Sequence, residues 1–95
     1  MNVGKAIKEL RKQQGLSQSE LAEAADITQA AMSGIENGKR PNPLTLEKLS
    51  KALKVPESLI YVMGMEKDDV PKEKKVLYDS LFPVIQSLVM QISSK

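Results

Sequence analysis

Two helix-start signals lie so close together that they fix the middle of this chain. Ser17-Gln18-Ser19-Glu20 has the form of a capping box, in which a serine side chain and a glutamate three residues on satisfy each other's backbone donors. Leu16 before it and Leu21 after it suit a hydrophobic staple. Thr28 is the next N-cap, after a tight turn at Asp26-Ile27. Between Ser17 and Thr28 there is room only for a two-turn helix, expected from Gln18 to about Ala25, with Leu21, Ala22 and Ala25 as its apolar face. A second short helix should run from Gln29 to Glu36, with Met32 and Ile35, and also Ala31, turned inward. Asn37-Gly38 ends it, because glycine adopts positive φ without strain.

The flanks extend the pattern. Val3, Ala6, Ile7 and Leu10 recur at helical spacing opposite Lys5, Lys8, Glu9 and Lys12, and Gly15 closes that first helix near Gln14. After the extended Lys39-Arg40-Pro41-Asn42-Pro43 loop, Thr45 is expected to cap a fourth helix ending near Leu53, with Leu46, Leu49 and Leu53 inward and Ala52 as a small packing residue. Pro56 suits a first helical position, and a fifth helix should cover Glu57 to Met63 and stop at Gly64. These five helices make an all-α domain over residues 1–64. Residues 65–70 read as a short charged linker. From Pro71 a broad apolar stripe follows: Val76, Leu77, Leu81, Val84, Ile85, Leu88, Val89 and Ile92. Pro83 interrupts it, so residues 71–95 should form a kinked helix or two short ones.

Composition narrows the chemistry. The chain has 95 residues, enough for one small domain, and contains neither cysteine nor histidine. Disulfides, the usual zinc ligands, a thiolate nucleophile and the commonest general base are therefore excluded, and neither enzyme activity nor a cofactor is expected. The carboxylates Glu20, Glu23 and Asp26 read as the polar face of a short helix. No apolar run approaches the roughly 18 residues that span a bilayer, and the amphipathic start does not resemble a signal peptide, so a cytoplasmic protein without membrane contact is expected. Net charge is +2; residues 1–55 carry nine Lys/Arg against six Asp/Glu, and residues 56–95 carry five against six, which leans positive charge toward the N-terminal part.

Arg11, Gly15, Ser17-Gln18, Leu21-Ala22, Ile27-Thr28, Met32-Ser33, Ile35-Glu36-Asn37-Gly38, Pro43 and Leu49 agree in order and spacing with a known pattern. Over residues 3–63 the chain resembles the phage-repressor helix-turn-helix regulators, the lambda-repressor-like or Cro-type family. The resemblance implies a five-helix fold and operator DNA as ligand, with the Gln29 helix entering the major groove. It implies that Gln18 bonds a phosphate and braces Gln29, and that Arg11 pairs with Glu36 to lock the recognition helix to the body. Gln29 is the best candidate base reader, since its amide can both donate to and accept from adenine; Ala30 can pack on a thymine methyl, and Ser33 can bond either kind of base. Ser17 and Thr28, primarily caps, are also expected to contact phosphates, as are Lys39, Arg40 and Asn42 in the loop. Gly34 departs from the family, where a longer polar side chain is common.

The terminal stripe is too apolar to stand solvated alone. It either docks on its own domain or pairs with a second chain, and the second is favoured, because two-fold symmetry doubles the length of duplex read. Leu77, Leu81, Ile85, Leu88 and Ile92 would form the seam of a homodimer on a palindromic site. The function expected is a transcriptional regulator of bacterial or phage type, more readily a repressor, acting at the nucleoid. The alternative is an antitoxin or assembly protein whose stripe holds a protein partner.

Overall fold

The computed structural model describes residues 1–94, so Lys95, the last residue of the expected terminal segment, lies outside the described residues. Six α-helices follow in order: α1 Val3–Gln13, α2 Gln18–Ala24, α3 Gln29–Glu36, α4 Pro43–Leu53, α5 Glu57–Gly64 and α6 Lys75–Ser93. Two single 3₁₀ turns, Lys67–Asp69 and Lys72–Lys74, join α5 to α6, and there is no strand among the described residues.

Local chemistry sets most of the boundaries. Asn2 caps α1 by accepting from the Lys5 N–H at 3.0 Å, and Gly15, with φ 73°, turns the chain away after it. The Ser17 capping box is complete: Ser17 Oγ accepts from the Glu20 N–H at 3.0 Å, and Glu20 Oε1 accepts from the Ser17 N–H at 2.8 Å. Asp26 takes the left-handed conformation, φ 55°, inside the turn that leads to α3. Gly38 takes φ 113° after α3.

Three expectations are corrected. Asn42, not Thr45, caps α4: its Oδ1 accepts from the Thr45 N–H at 2.8 Å. The helix thus starts at Pro43, which has no N–H to satisfy and fits the first turn without loss. Pro56 is the residue before α5, extended at φ −64° and ψ 150°, and not its first helical residue. Ala31 is exposed, so Met32 and Ile35 alone turn α3 inward. Of the two forms expected for the terminal segment, α6 takes the single helix, running through Pro83. Proline deprives only the Asp79 carbonyl of its helical donor, and both residues are exposed, where a missing backbone bond costs least.

The core gathers Ala6, Ile7 and Leu10 of α1, Leu21 of α2, Met32 of α3, Leu49 and Leu53 of α4 and Ile60 of α5, each at most 0% exposed. Ala22 and Ala25 are also buried, which lets α2 approach its neighbours closely. Val89 of α6 belongs to the same core, with Met90 half-buried beside it. The C-terminus of α6 is latched to the end of α1. Gln13 Nε2 donates to the Met90 carbonyl, and Ser93 Oγ donates to Gln13 Oε1 at 2.5 Å. Gln14 Nε2 reaches the Leu53 carbonyl at 2.7 Å and the Ser93 carbonyl at 3.3 Å. At the other end Tyr78 stacks on Phe82, ring centroids 4.7 Å apart, and donates its hydroxyl to the Met65 carbonyl at 3.0 Å.

One face of α6 therefore docks on the domain, while Val76, Leu77, Leu81, Val84, Ile85, Leu88 and Ile92 stay exposed. By length and composition alone, Lys72–Ser93 is long and apolar enough to cross a membrane, where no such segment is expected from the sequence. Within α6, Phe82, Val89 and Ser93 are buried against protein. The expected 65–70 linker is tied down: the Met1 ammonium lies 2.7 Å from both Glu66 Oε1 and Asp69 Oδ2, and Lys67 pairs with Asp79 at 2.8 Å.

Candidate nucleic-acid interface

The bracing of α3 begins with an ion pair. Arg11 Nε donates to Glu36 Oε2 at 2.7 Å, and its Nη2 donates to Glu36 Oε1 at 2.9 Å, a bidentate fit of guanidinium to carboxylate. The third donor, Nη1, reaches the Leu16 carbonyl at 2.9 Å. One side chain of α1 thereby ties the end of α3 to the chain entering α2. Burial by itself would raise the Glu36 pKa, but hydrogen bonds from Arg11 and Gln18 and the charges of Arg11 and Lys8 outweigh it and hold the carboxyl below its ordinary range. The same hydrogen bond raises the Arg11 pKa against its desolvation.

Two turns before Arg11 on the same face of α1 stands Gly4, a residue that sequence reasoning passed over. A Cβ there would lie 1.9 Å from the Ile35 carbonyl oxygen, so α1 meets the last turn of α3 backbone to backbone. Its only sequence signal is an isolated glycine inside an amphipathic helix, which often marks close packing.

The side chains expected to face DNA are on the outside. Gln29 and Ala30 are exposed at the start of α3, and Ser33 is half-exposed one turn on. Ser33 Oγ lies 3.4 Å from Asn37 Nδ2, so Gln29, Ser33 and Asn37 form one polar row along the helix. Lys39, Arg40 and Asn42 are exposed in the loop that follows.

The capping residues hold their side-chain oxygens inward as acceptors. Thr28 Oγ1 takes the Ala31 N–H at 3.0 Å, as Ser17 and Asn42 do at their own helices. Their hydroxyl protons and the Asn42 amide N–H groups remain available for donation. A phosphate oxygen only accepts, so the caps and the anion do not compete. Gln18 has a partner that the sequence did not suggest: its Nε2 donates to Glu36 Oε1 at 3.3 Å, which draws it into the Arg11 pair. One amide hydrogen is left over for a phosphate.

The helix-turn-helix family model matches residues 7–60, more than half of the chain. The chain belongs to the helix-turn-helix family. It is 42% identical over 64 residues to the transcriptional repressor RghR of Bacillus subtilis, a match covering 64% of this chain and 47% of that protein. To the uncharacterised regulator RghRB of the same organism it is 34% identical, over 90% of this chain and 66% of the relative. To the competence pilus inhibition repressor of Acinetobacter baylyi it is 32% identical, over 97% and 82%. The chain thus spans about half of the first relative's length and about two-thirds of the second's. Within the helix-turn-helix unit, α2 and α3 are the two short helices and Asp26-Ile27 lies in the turn between them.

Proposed function

We propose that this chain is a sequence-specific duplex-DNA-binding transcriptional regulator, a repressor rather than an enzyme, acting on bacterial cytoplasmic DNA with α3 in the major groove. The observation that carries the reading is the outward row of Gln29 and Ser33 on a short helix held from behind by Arg11 and Glu36. Gln29, Ala30 and Ser33 read base edges. Ser17, Gln18, Thr28, Lys39, Arg40 and Asn42 contact phosphates and set the register. Membership of the helix-turn-helix family and relatives named as repressors support this assignment.

The chain acts as a homodimer on a palindromic operator, with Leu77, Leu81, Ile85, Leu88 and Ile92 of α6 as the seam. What supports this is that these five side chains are between 37% and 67% exposed on one monomer, while Asp79 is the only charged residue from Val76 to Ser94. A face of that kind is self-complementary without needing matched charges.

Selection of bound duplexes from a random pool, with light scattering of the free protein, tests both parts. Two inverted half-sites roughly one helical turn apart and a dimer mass are expected. Gln29→Ala should cost about 1–3 kcal/mol at the selected site and relax base preference there. Unchanged affinity and preference would remove Gln29 from its role. A monomer that recovers with a stoichiometric foreign protein from its source would instead favour an antitoxin or assembly protein using the same α6 face.

A further inference from the structure

The chain has five glycines, and four have a reason inside the fold. Gly15 and Gly38 carry positive φ. A Cβ on Gly4 would strike the Ile35 carbonyl, and one on Gly64 would lie 2.9 Å from the Asn2 carbonyl oxygen. Gly34 has no such reason. It sits in the interior of α3 in ordinary helical conformation, half-exposed. A Cβ built there meets only Lys39 Cδ, at 3.8 Å, in a flexible side chain. Only proline is a poorer helix former, and α3 has just eight residues over which to absorb the cost.

The position of Gly34 is informative. It lies one turn beyond Ala30, so the two form a row beside the polar row of Gln29, Ser33 and Asn37. Its carbonyl accepts the Lys39 N–H at 2.9 Å, which ties the start of the loop bearing Lys39 and Arg40 back to this turn of the helix. A residue with room for a side chain, on the outward surface of the helix, between base-facing and phosphate-facing groups, has its steric reason outside the molecule.

We propose that Gly34 is the point of closest approach between α3 and duplex DNA, where helix backbone seats directly against the groove. The missing side chain sets the depth at which Gln29 and Ser33 reach the bases, so Gly34 determines specificity without reading a base itself. This rests on the DNA-binding function proposed above.

The test compares wild type, Gly34→Ala and Gly34→Ser on a duplex selected by the wild-type protein. Free Gly34→Ala should melt higher by up to about 4–8 °C, because alanine favours the helix and nothing inside the fold resists it. Its affinity for the selected duplex should fall about tenfold or more, the scale of one mismatched base pair. Binding to unrelated duplex, held by phosphates, should change much less. Gly34→Ser should weaken selected-site binding at least as much. Wild-type affinity in Gly34→Ala, or a lowered melting temperature, would overturn the inference while leaving DNA binding intact. Wild-type protein that selects no duplex would overturn the underlying function, and this inference with it.

Discussion

Replacing Glu36 by glutamine keeps the size of the side chain and removes its charge. In the wild type the Glu36 side chain is 3% exposed and that of Arg11 10%, and two charge-assisted hydrogen bonds join them. Glutamine offers one acceptor oxygen, so one of the two bonds is lost. Its own amide group must then face the donors of Arg11 or Gln18. Losing a hydrogen bond to a charged group costs about 1.5–3 kcal/mol, and removing one partner of a fully buried pair costs about 3–5 kcal/mol. Arg11 reaches the edge of the core and keeps its bond to the Leu16 carbonyl, so the lower part of that range applies, about 2–4 kcal/mol. For a chain of this size the melting temperature should fall by about 10–25 °C.

Circular-dichroism melts at neutral pH measure it, with Arg11→Met and the double variant completing a cycle. The double variant should be less destabilised than the sum of the single ones by about 1–3 kcal/mol, since it leaves no unpaired buried charge. The pH dependence has a definite sign. The folded state holds the Glu36 proton less tightly than the unfolded chain does. The difference between wild type and Glu36→Gln is therefore full above the ordinary glutamate value near about 4.3 and closes as pH falls through the lower folded value. An additive cycle, a melting shift below about 2 °C, or a difference that closes on raising the pH would refute this account.

Other perturbations probe other links. Gly4→Ala should destabilise by about 1–3 kcal/mol or more in urea titration, because the new methyl overlaps the Ile35 carbonyl and α1 must move off α3. Asn42→Ala should cost about 1 kcal/mol and Thr45→Ala less, since Asn42 caps α4; the reverse order would restore Thr45 as the cap. Phe82→Ala should cost about 3 kcal/mol or release α6 from the domain, seen as faster amide exchange in α6 than in α1.

What the sequence showed plainly was local. Ser17 with Glu20, Thr28, Gly15 and Gly38 act within one helical turn of themselves, and their residue types have few competing uses, so the helix-turn-helix could be drawn before any tertiary contact was known. The misplacements arose where two local signals competed. Asn42-Pro43 and Thr45 can each open a helix, and proline's missing donor decided between them. Ala31 lies near the inward arc of α3, but Met32 and Ile35 fill the space behind it. Gly4 and Gln14 were invisible for another reason. Their partners, Ile35 and the carbonyls of Leu53 and Ser93, are distant in sequence, and nothing in a glycine or a glutamine names its partner.

The terminal segment differs in that two readings offered as alternatives are compatible. Docking and dimerisation were posed as alternatives, yet a helix of nineteen residues has two long faces, and burying one leaves the other. Tyr78, Phe82 and Val89 recur at spacings of four and seven and turn inward, while Leu77, Leu81, Leu88 and Ile92 run beside them and turn outward. Docking then serves the proposed dimer. A seam on a free tail would leave two recognition helices at no fixed separation. A seam on a helix fastened by Gln13, Gln14 and Phe82 to the domain that carries α3 would transmit one separation to both, which suits a palindrome with fixed half-site spacing.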